Sequence, residues 1–208
     1  MKKILCAFLC MLIIVCFIGC ENNQAELTPS PTADSNVSFS QVRDAFKTID
    51  KKDTNFTIYT SEEYSADFYE IYDNFGHLLD EGFHHWRGSF DITKSDNIVT
   101  LEYGLGGNAT PRYRFYDVEN GKVSRFFDGP IKTKDNLIAC FNTRDSVTYL
   151  TVQDIFDADA YYCEFTGNFD THIYLSCTEI VFSEKEITIK YLDTDSYEKD
   201  IVETFKLK

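Results

Sequence analysis

The chain is expected to be mainly β. Antiparallel meanders of about 40 residues each stack like propeller blades or as a sandwich, behind one short N-terminal helix. Three observations predict this. Much of the 208-residue chain consists of short runs of Tyr, Phe, Ile, Val and Thr with alternating polarity, as in residues 98–103 (IVTLEY) and 186–191 (EITIKY). Turn residues separate these runs. Finally, Asp73, Asp117, Asp154 and Asp193 close similar strand-and-turn stretches at spacings of 44, 37 and 39 residues, a period that suits a four-stranded unit.

The first element is a targeting segment. Lys2 and Lys3 precede sixteen residues, 4–19, without a charge. A basic start, an apolar core and a small residue at the end make a secretory signal. As a helix this run spans roughly 24 Å, short of the hydrocarbon core of about 30 Å. Phe17-Ile18-Gly19-Cys20 then sits at the boundary where the chain turns polar. It resembles the lipobox of bacterial lipoproteins, with Phe17 where leucine is usual. The resemblance implies cleavage before Cys20, a diacylglyceryl thioether on its sulfur and further acylation such as palmitate. The anchor would hold the mature chain on the outer face of the cell membrane. Two or more acyl chains give stable anchoring where one does not.

Residues 20–37 follow as a tether. The stretch ENNQAELTPSPTADSN has no aromatic residue and two prolines, so it builds no core. At about 5–6 Å × √n it holds the next domain roughly 20–25 Å from the bilayer. That domain spans 38–208 and opens with the helix. Ser38 and Gln41 fit a capping box, and Val42, Phe46 and Ile49 repeat at helical spacing, with an end expected near Lys52. The turn-rich stretch from Asp154 to Asp159 has room for a second, short helix. Beyond the helix, YEIYDNFGHL from Tyr69 and YRFYDVENGKV from Tyr113 read alike: strand, Asp at a turn, Gly, second strand. Asn120-Gly121 is read as a type I′ hairpin turn. Val152-Gln153-Asp154 and Tyr191-Leu192-Asp193 are assigned similar places. These hairpins resemble small, uncharacterised secreted or lipid-anchored β domains of Gram-positive bacteria, a resemblance that carries no activity with it.

Charge bounds the partners. The chain carries 20 Lys and Arg against 34 Asp and Glu, net −14, and loss of Lys2 and Lys3 takes it to −16. Such a surface repels nucleic acid. It suits basic partners or divalent cations, or serves solubility alone. Once the signal is gone, Cys140, Cys163 and Cys177 join Cys20. No CxxC pair is present, so buried thiols acting as small hydrophobes are the expectation.

Three features invite chemistry. His84-His85-Trp86-Arg87 is the most unusual cluster. Adjacent histidines on a strand face opposite ways and make a poor metal pair. An exposed Trp with Arg makes a platform for a sugar ring or an aromatic-rich peptide, and ordinary packing is the alternative. Asp154, Asp157 and Asp159, with Asp193 and Asp195, offer carboxylates for calcium but lack the EF-hand glycine and glutamate, so solvated turn acids are expected there. Gly104 to Gly107 lacks a following helix and a Gly-Lys-Ser/Thr, so it is read as a strand connector. Neither GxSxG nor HExxH occurs. The expectation is a non-catalytic surface module, without cofactor, that binds an extracytoplasmic protein or glycan. A glycan-directed envelope hydrolase and an assembly factor are the alternatives.

Overall fold

Among the described residues, all strand pairs are antiparallel, and within each sheet, one short strand apart, the strands follow sequence order. A computed structural model describes residue 46 and residues 48–62, 65–84, 90–104, 110–169, 173–193 and 199–208, all within the unit Phe39–Lys208. The first sheet is β1 (Thr48–Lys52), β2 (Phe56–Ser61), β3 (Ala66–Tyr72) and β4 (Leu78–His84), in that order. The second is β5 (Phe90–Ser95), β6 (Ile98–Tyr103), β7 (Arg112–Asp117) and β8 (Lys122–Val123), with β9 (Phe127–Asp128) also on β7. The third is β10 (Ile131–Lys134), β11 (Leu137–Arg144), β12 (Val147–Asp154) and β13 (Tyr162–Thr166). After a single helical turn, α1 (Ile173–Ser176), the fourth sheet holds β14 (Cys177–Phe182), β15 (Glu186–Leu192) and β16 (Asp200–Lys206). The two runs read as strands, 98–103 and 186–191, fall within β6 and β15.

Side-chain alternation decides which sheet each face meets. On β6, Val99 and Leu101 point at the first sheet and pack with Phe56, Ile58, Tyr69 and Ile71. Ile98, on the opposite face, joins Phe115, Phe127, Ile138 and Cys140 between the second and third sheets. On β11, Ile138 and Cys140 face the second sheet, while Ala139 and Phe141 meet Ile180, Ile187 and Ile189 of the fourth. A strand buried on both faces reads as a continuous apolar run, which is why LIACF does not alternate. The outer face of the first sheet is covered by Phe46, packed with Phe68.

One backbone hydrogen bond recurs in all four sheets. The amide of Tyr72 donates to Asn55, that of Val118 to Asn97, that of Ile155 to Asn136 and that of Leu207 to Lys185, at 2.7 to 2.9 Å. Each ties the end of a third strand to the residue before the second strand. The fourth sheet therefore begins at the first-strand position with β14, and β16 stands where β3, β7 and β12 stand. This corrects the register read from the acids. Asp73, Asp117 and Asp154 follow or end third strands, whereas Asp193 follows a second strand. An even spacing hid that difference, because the loop after β12 and α1 lengthen the third unit.

Three further expectations change. The helix expected to run to near Lys52 does not reach it: Thr48–Lys52 is β1, paired with β2, and Ile49 is exposed. Residues 38–45, where that helix would start, lie outside the described residues. Asn120-Gly121 is not a two-residue turn. Gly121 alone of the two has positive φ, and Asp117 pairs with Lys122 across four residues. The type I′ geometry falls at Asp145-Ser146, where φ is 52° and 63° and Arg144 pairs with Val147. Residues Asp157 to Ala160 form a turn rather than a helix, and the helical turn lies at α1, where Ile173 is buried.

Candidate functional site

At one end of the interface between the first two sheets, polar groups enter the core. Asp80 on β4 lies beside Arg114 and Tyr116 on β7. Its Oδ2 accepts from Tyr116 Oη at 2.5 Å, Arg114 Nη1 at 3.1 Å and Tyr69 Oη at 3.4 Å. Its Oδ1 accepts the amide of Glu81. The Tyr69 hydroxyl in turn accepts from Tyr103 Oη at 2.8 Å. Alternation places these groups together: Arg112, Arg114 and Tyr116 share one face of β7, and Tyr103 pairs with Arg112 across β6.

Gly82 makes room for this arrangement. It pairs with Tyr69, and a Cβ there would lie 2.7 Å from Tyr69 Oη and 2.8 Å from two ring carbons. The Tyr69 ring is thus seated over bare backbone, with Phe90 and Tyr103 edge-on at 5.3 and 6.2 Å.

Burial pushes the hydroxyl pKa values of Tyr69, Tyr116 and Tyr103 up, and the nearby Asp80 charge adds to this. These hydroxyls remain protonated donors at neutral pH and are not available as bases. The buried part of the cluster is a satisfied network of the kind that fixes side-chain positions.

Toward solvent the cluster turns aromatic and cationic. The Tyr103 ring stands 5.9 Å from Phe126 and 6.3 Å from the His84 imidazole. Arg112 and Arg114 each place a guanidinium 4.9 Å from the Phe126 centroid. Arg112 also pairs with Asp128 at 3.0 Å, and Arg114 Nε donates to the Ser124 carbonyl. Of the residues singled out in the sequence, His84 reaches this rim. His85, Trp86 and Arg87 lie outside the described residues, as do Cys20 and Asp195. Tyr103, Phe126, Arg112 and Asp80 were not anticipated. For Tyr103 and Arg112 the signal was present as aromatic and charged residues alternating on β6 and β7, but without pairing registers it read as ordinary strand; Asp80 on β4 and Phe126 before β9 carried no local signal.

The turn acids do other work. Asp73 Oδ1 accepts the amides of Phe75 and His77, both at 2.8 Å. Asp117 does the same for Glu119 and Asn120, and Asp154 for Phe156 and Asp157. Burial alone would raise the Asp73 pKa, yet the His77 and Phe75 hydrogen bonds leave it lowered. The amide of Asp159 donates to Asp157 Oδ1 at 3.0 Å. The Asp154 and Asp157 carboxylates are therefore bound to their own turn. No group of three or more His, Cys, Asp or Glu able to hold a metal ion occurs among the described residues. At matched ionic strength, calcium and sodium should shift the melting temperature equally. A calcium-specific rise above about 3 °C, lost in Asp157→Asn, would restore a metal site, since a ligand at 100 times its dissociation constant adds about 2.7 kcal/mol.

Cys140, Cys163 and Cys177 are free thiols. Cys140 and Cys163 are buried, and burial pushes the Cys177 thiol up to about 11, so it is not a nucleophile at neutral pH. A concavity of about 460 Å³ lies between β10 and β14. Lys132, Lys134 and Glu179 line it, but it lacks the converging hydroxyls of the Asp80 cluster. No known family model matches this chain, and no curated protein is significantly similar to it.

Proposed function

We propose that this chain is a lipid-anchored extracytoplasmic binding module, not a catalyst, whose ligand surface is the aromatic rim between the first and second sheets. The single observation that carries the binding reading is the pre-positioned rim: His84, Tyr103 and Phe126 held in ring contact by an Asp80–Arg114–Tyr116 network beneath them. Such a surface matches a saccharide, whose apolar ring faces stack on aromatic side chains while its hydroxyls meet Arg112 and the His84 ring. In sequence, Trp86 and Arg87 follow His84 by two and three residues.

In this reading the four meanders form a propeller-like array, not a two-layer sandwich. Support comes from the order of packing, first on second, second on third and third on fourth, and from the hydrogen bond that recurs in each sheet. The anchor is Cys20, at the end of the signal, and residues 20–37 are the tether.

Two measurements test the proposal. Metabolic labelling with a tagged fatty acid should mark the wild type and leave Cys20→Ala unmarked; equal labelling of both would end the anchor reading. Titration with fragments of envelope glycan should show binding that Tyr103→Ala weakens by roughly tenfold or more, with the fold kept by circular dichroism. Binding unaffected by Tyr103→Ala and His84→Ala would move the site elsewhere. Release of shortened glycan would replace the binding module with a hydrolase.

A further inference from the structure

The first three sheets each continue past their third strand, to β4, to β8 and β9, and to β13, while β16 has no outer neighbour among the described strands. It is seven residues long, and every second residue is exposed, with Val202 60% accessible. We infer that the free edge of β16 pairs antiparallel with β16 of a second copy of this chain, about a two-fold axis at Glu203.

The backbone register selects this axis. The amide of Leu207 donates to Lys185, and β15 and β16 pair residue for residue from Glu186↔Lys206 to Leu192↔Asp200. In an antiparallel ladder the bonded residues alternate. The amides and carbonyls of residues 201, 203, 205 and 207 therefore face β15. Those of 200, 202, 204 and 206 face outward, unpaired. A two-fold axis at Glu203 sets 202 opposite 204 of the second copy and 200 opposite 206. All four outward positions then meet outward positions, so each amide finds a carbonyl. An axis at 202 or 204 pairs outward positions as well, but it leaves one end of the strand overhanging.

Charge supports the same axis. It brings Asp200 of each copy opposite Lys206 of the other, an attractive cross-strand pair at both ends that adds a second cation to the Asp200 carboxylate already held by Lys190 at 2.7 Å within its own copy. Val202 meets Thr204, a β-branched pair. The one like pair, Glu203 with itself, is relieved within each copy. Glu203 Oε1 accepts from Tyr191 Oη at 2.7 Å and from the amide of Asn168 at 3.2 Å, on the face that packs toward the third sheet. Unpaired edges of this length template association unless blocked, and no Pro or bulge interrupts β16.

Analytical ultracentrifugation of the full chain, in detergent to hold its apolar N-terminus, tests this. The wild type should show a monomer–dimer equilibrium. Val202→Pro removes an amide that faces outward and leaves the β15 ladder intact, because Pro is tolerated where the N–H points to solvent. It should be monomeric across the same concentrations, with an unchanged circular dichroism spectrum. A double variant covers the case in which that protein does not fold: Val202→Cys with Thr204→Cys should give a disulfide-linked dimer under mild oxidation, joined between positions 202 and 204. A wild type that stays monomeric at the highest soluble concentration overturns the inference. So does a dimer that survives Val202→Pro, or cross-linking between any other pair of positions.

Discussion

Gly82→Ala should lower the melting temperature by roughly 2–12 °C and disorganise the aromatic rim. The new methyl carbon would stand 2.7 Å from Tyr69 Oη and 2.8 Å from two of its ring carbons, well inside van der Waals contact. Tyr69 cannot swing clear, because it is 3% exposed and held by Phe90 and Tyr103. Overpacking of this kind costs about 1–3 kcal/mol, and each kcal/mol moves the midpoint by about 2–4 °C in a domain of this size. Thermal denaturation checks the cost. A mutant cycle with Tyr69→Leu checks the cause, since the two losses should fall short of additivity by at least about 0.5 kcal/mol if methyl and ring compete for one space. Simple additivity would show that Gly82 matters for some other reason.

Asp80→Ala should be comparably damaging, at about 2–3 kcal/mol, and Asp80→Asn much milder. The alanine leaves Tyr116 Oη and Arg114 Nη1 without their acceptor. Removing one partner of a fully buried pair costs about 3–5 kcal/mol and of an exposed pair about 0–1. With 19% of the Asp80 and 29% of the Arg114 side chain accessible, this pair lies between those limits. Asparagine keeps an acceptor for the hydroxyl and loses only the charge. Urea unfolding of both variants measures the difference, and variants as stable as the wild type would show that the carboxylate is idle. Because the rim is carried on this network, Asp80→Ala should also weaken glycan binding though Asp80 is not itself on the rim.

The β class was legible because strands such as β6 and β15 alternate apolar and polar residues, and alternation follows from one-residue reversal of side chains. The unit length was legible too, since Asp73, Asp117 and Asp154 sit at equivalent turns. What failed was phase. Asp193 matched the spacing while belonging to a different strand, and the feature that fixes phase, one amide bonding back across a hairpin, leaves no side-chain signature. The turns failed for a related reason. Asn-Gly at 120–121 is the strongest sequence signal for a type I′ turn, but Asp117 captured the amides of 119 and 120 and imposed a longer loop. Asp145-Ser146 adopts that turn with weaker residues, between β11 and β12, each eight residues long and the longest of the described strands. The site was the least legible part. Asp80, Tyr103, Arg114 and Phe126 lie up to 46 residues apart in sequence and meet only through pairing registers that no local pattern encodes.

Strand pairing that, β9 on β7 apart, stays between sequence neighbours among the described strands also governs how the chain reaches this structure. Every ladder closes over a short loop, so little chain entropy is lost before contacts form, and topologies of this sort reach the native state quickly for all-β proteins. The order of events is set as well. The first sheet can be complete while the fourth is still unsynthesised, yet the apolar face made by Ile58, Tyr69 and Ile71 stays bare until β5 and β6 arrive to cover it. A chain that appears N-terminus first therefore always carries one uncovered apolar sheet face at its growing end, and that face moves along the molecule as synthesis proceeds.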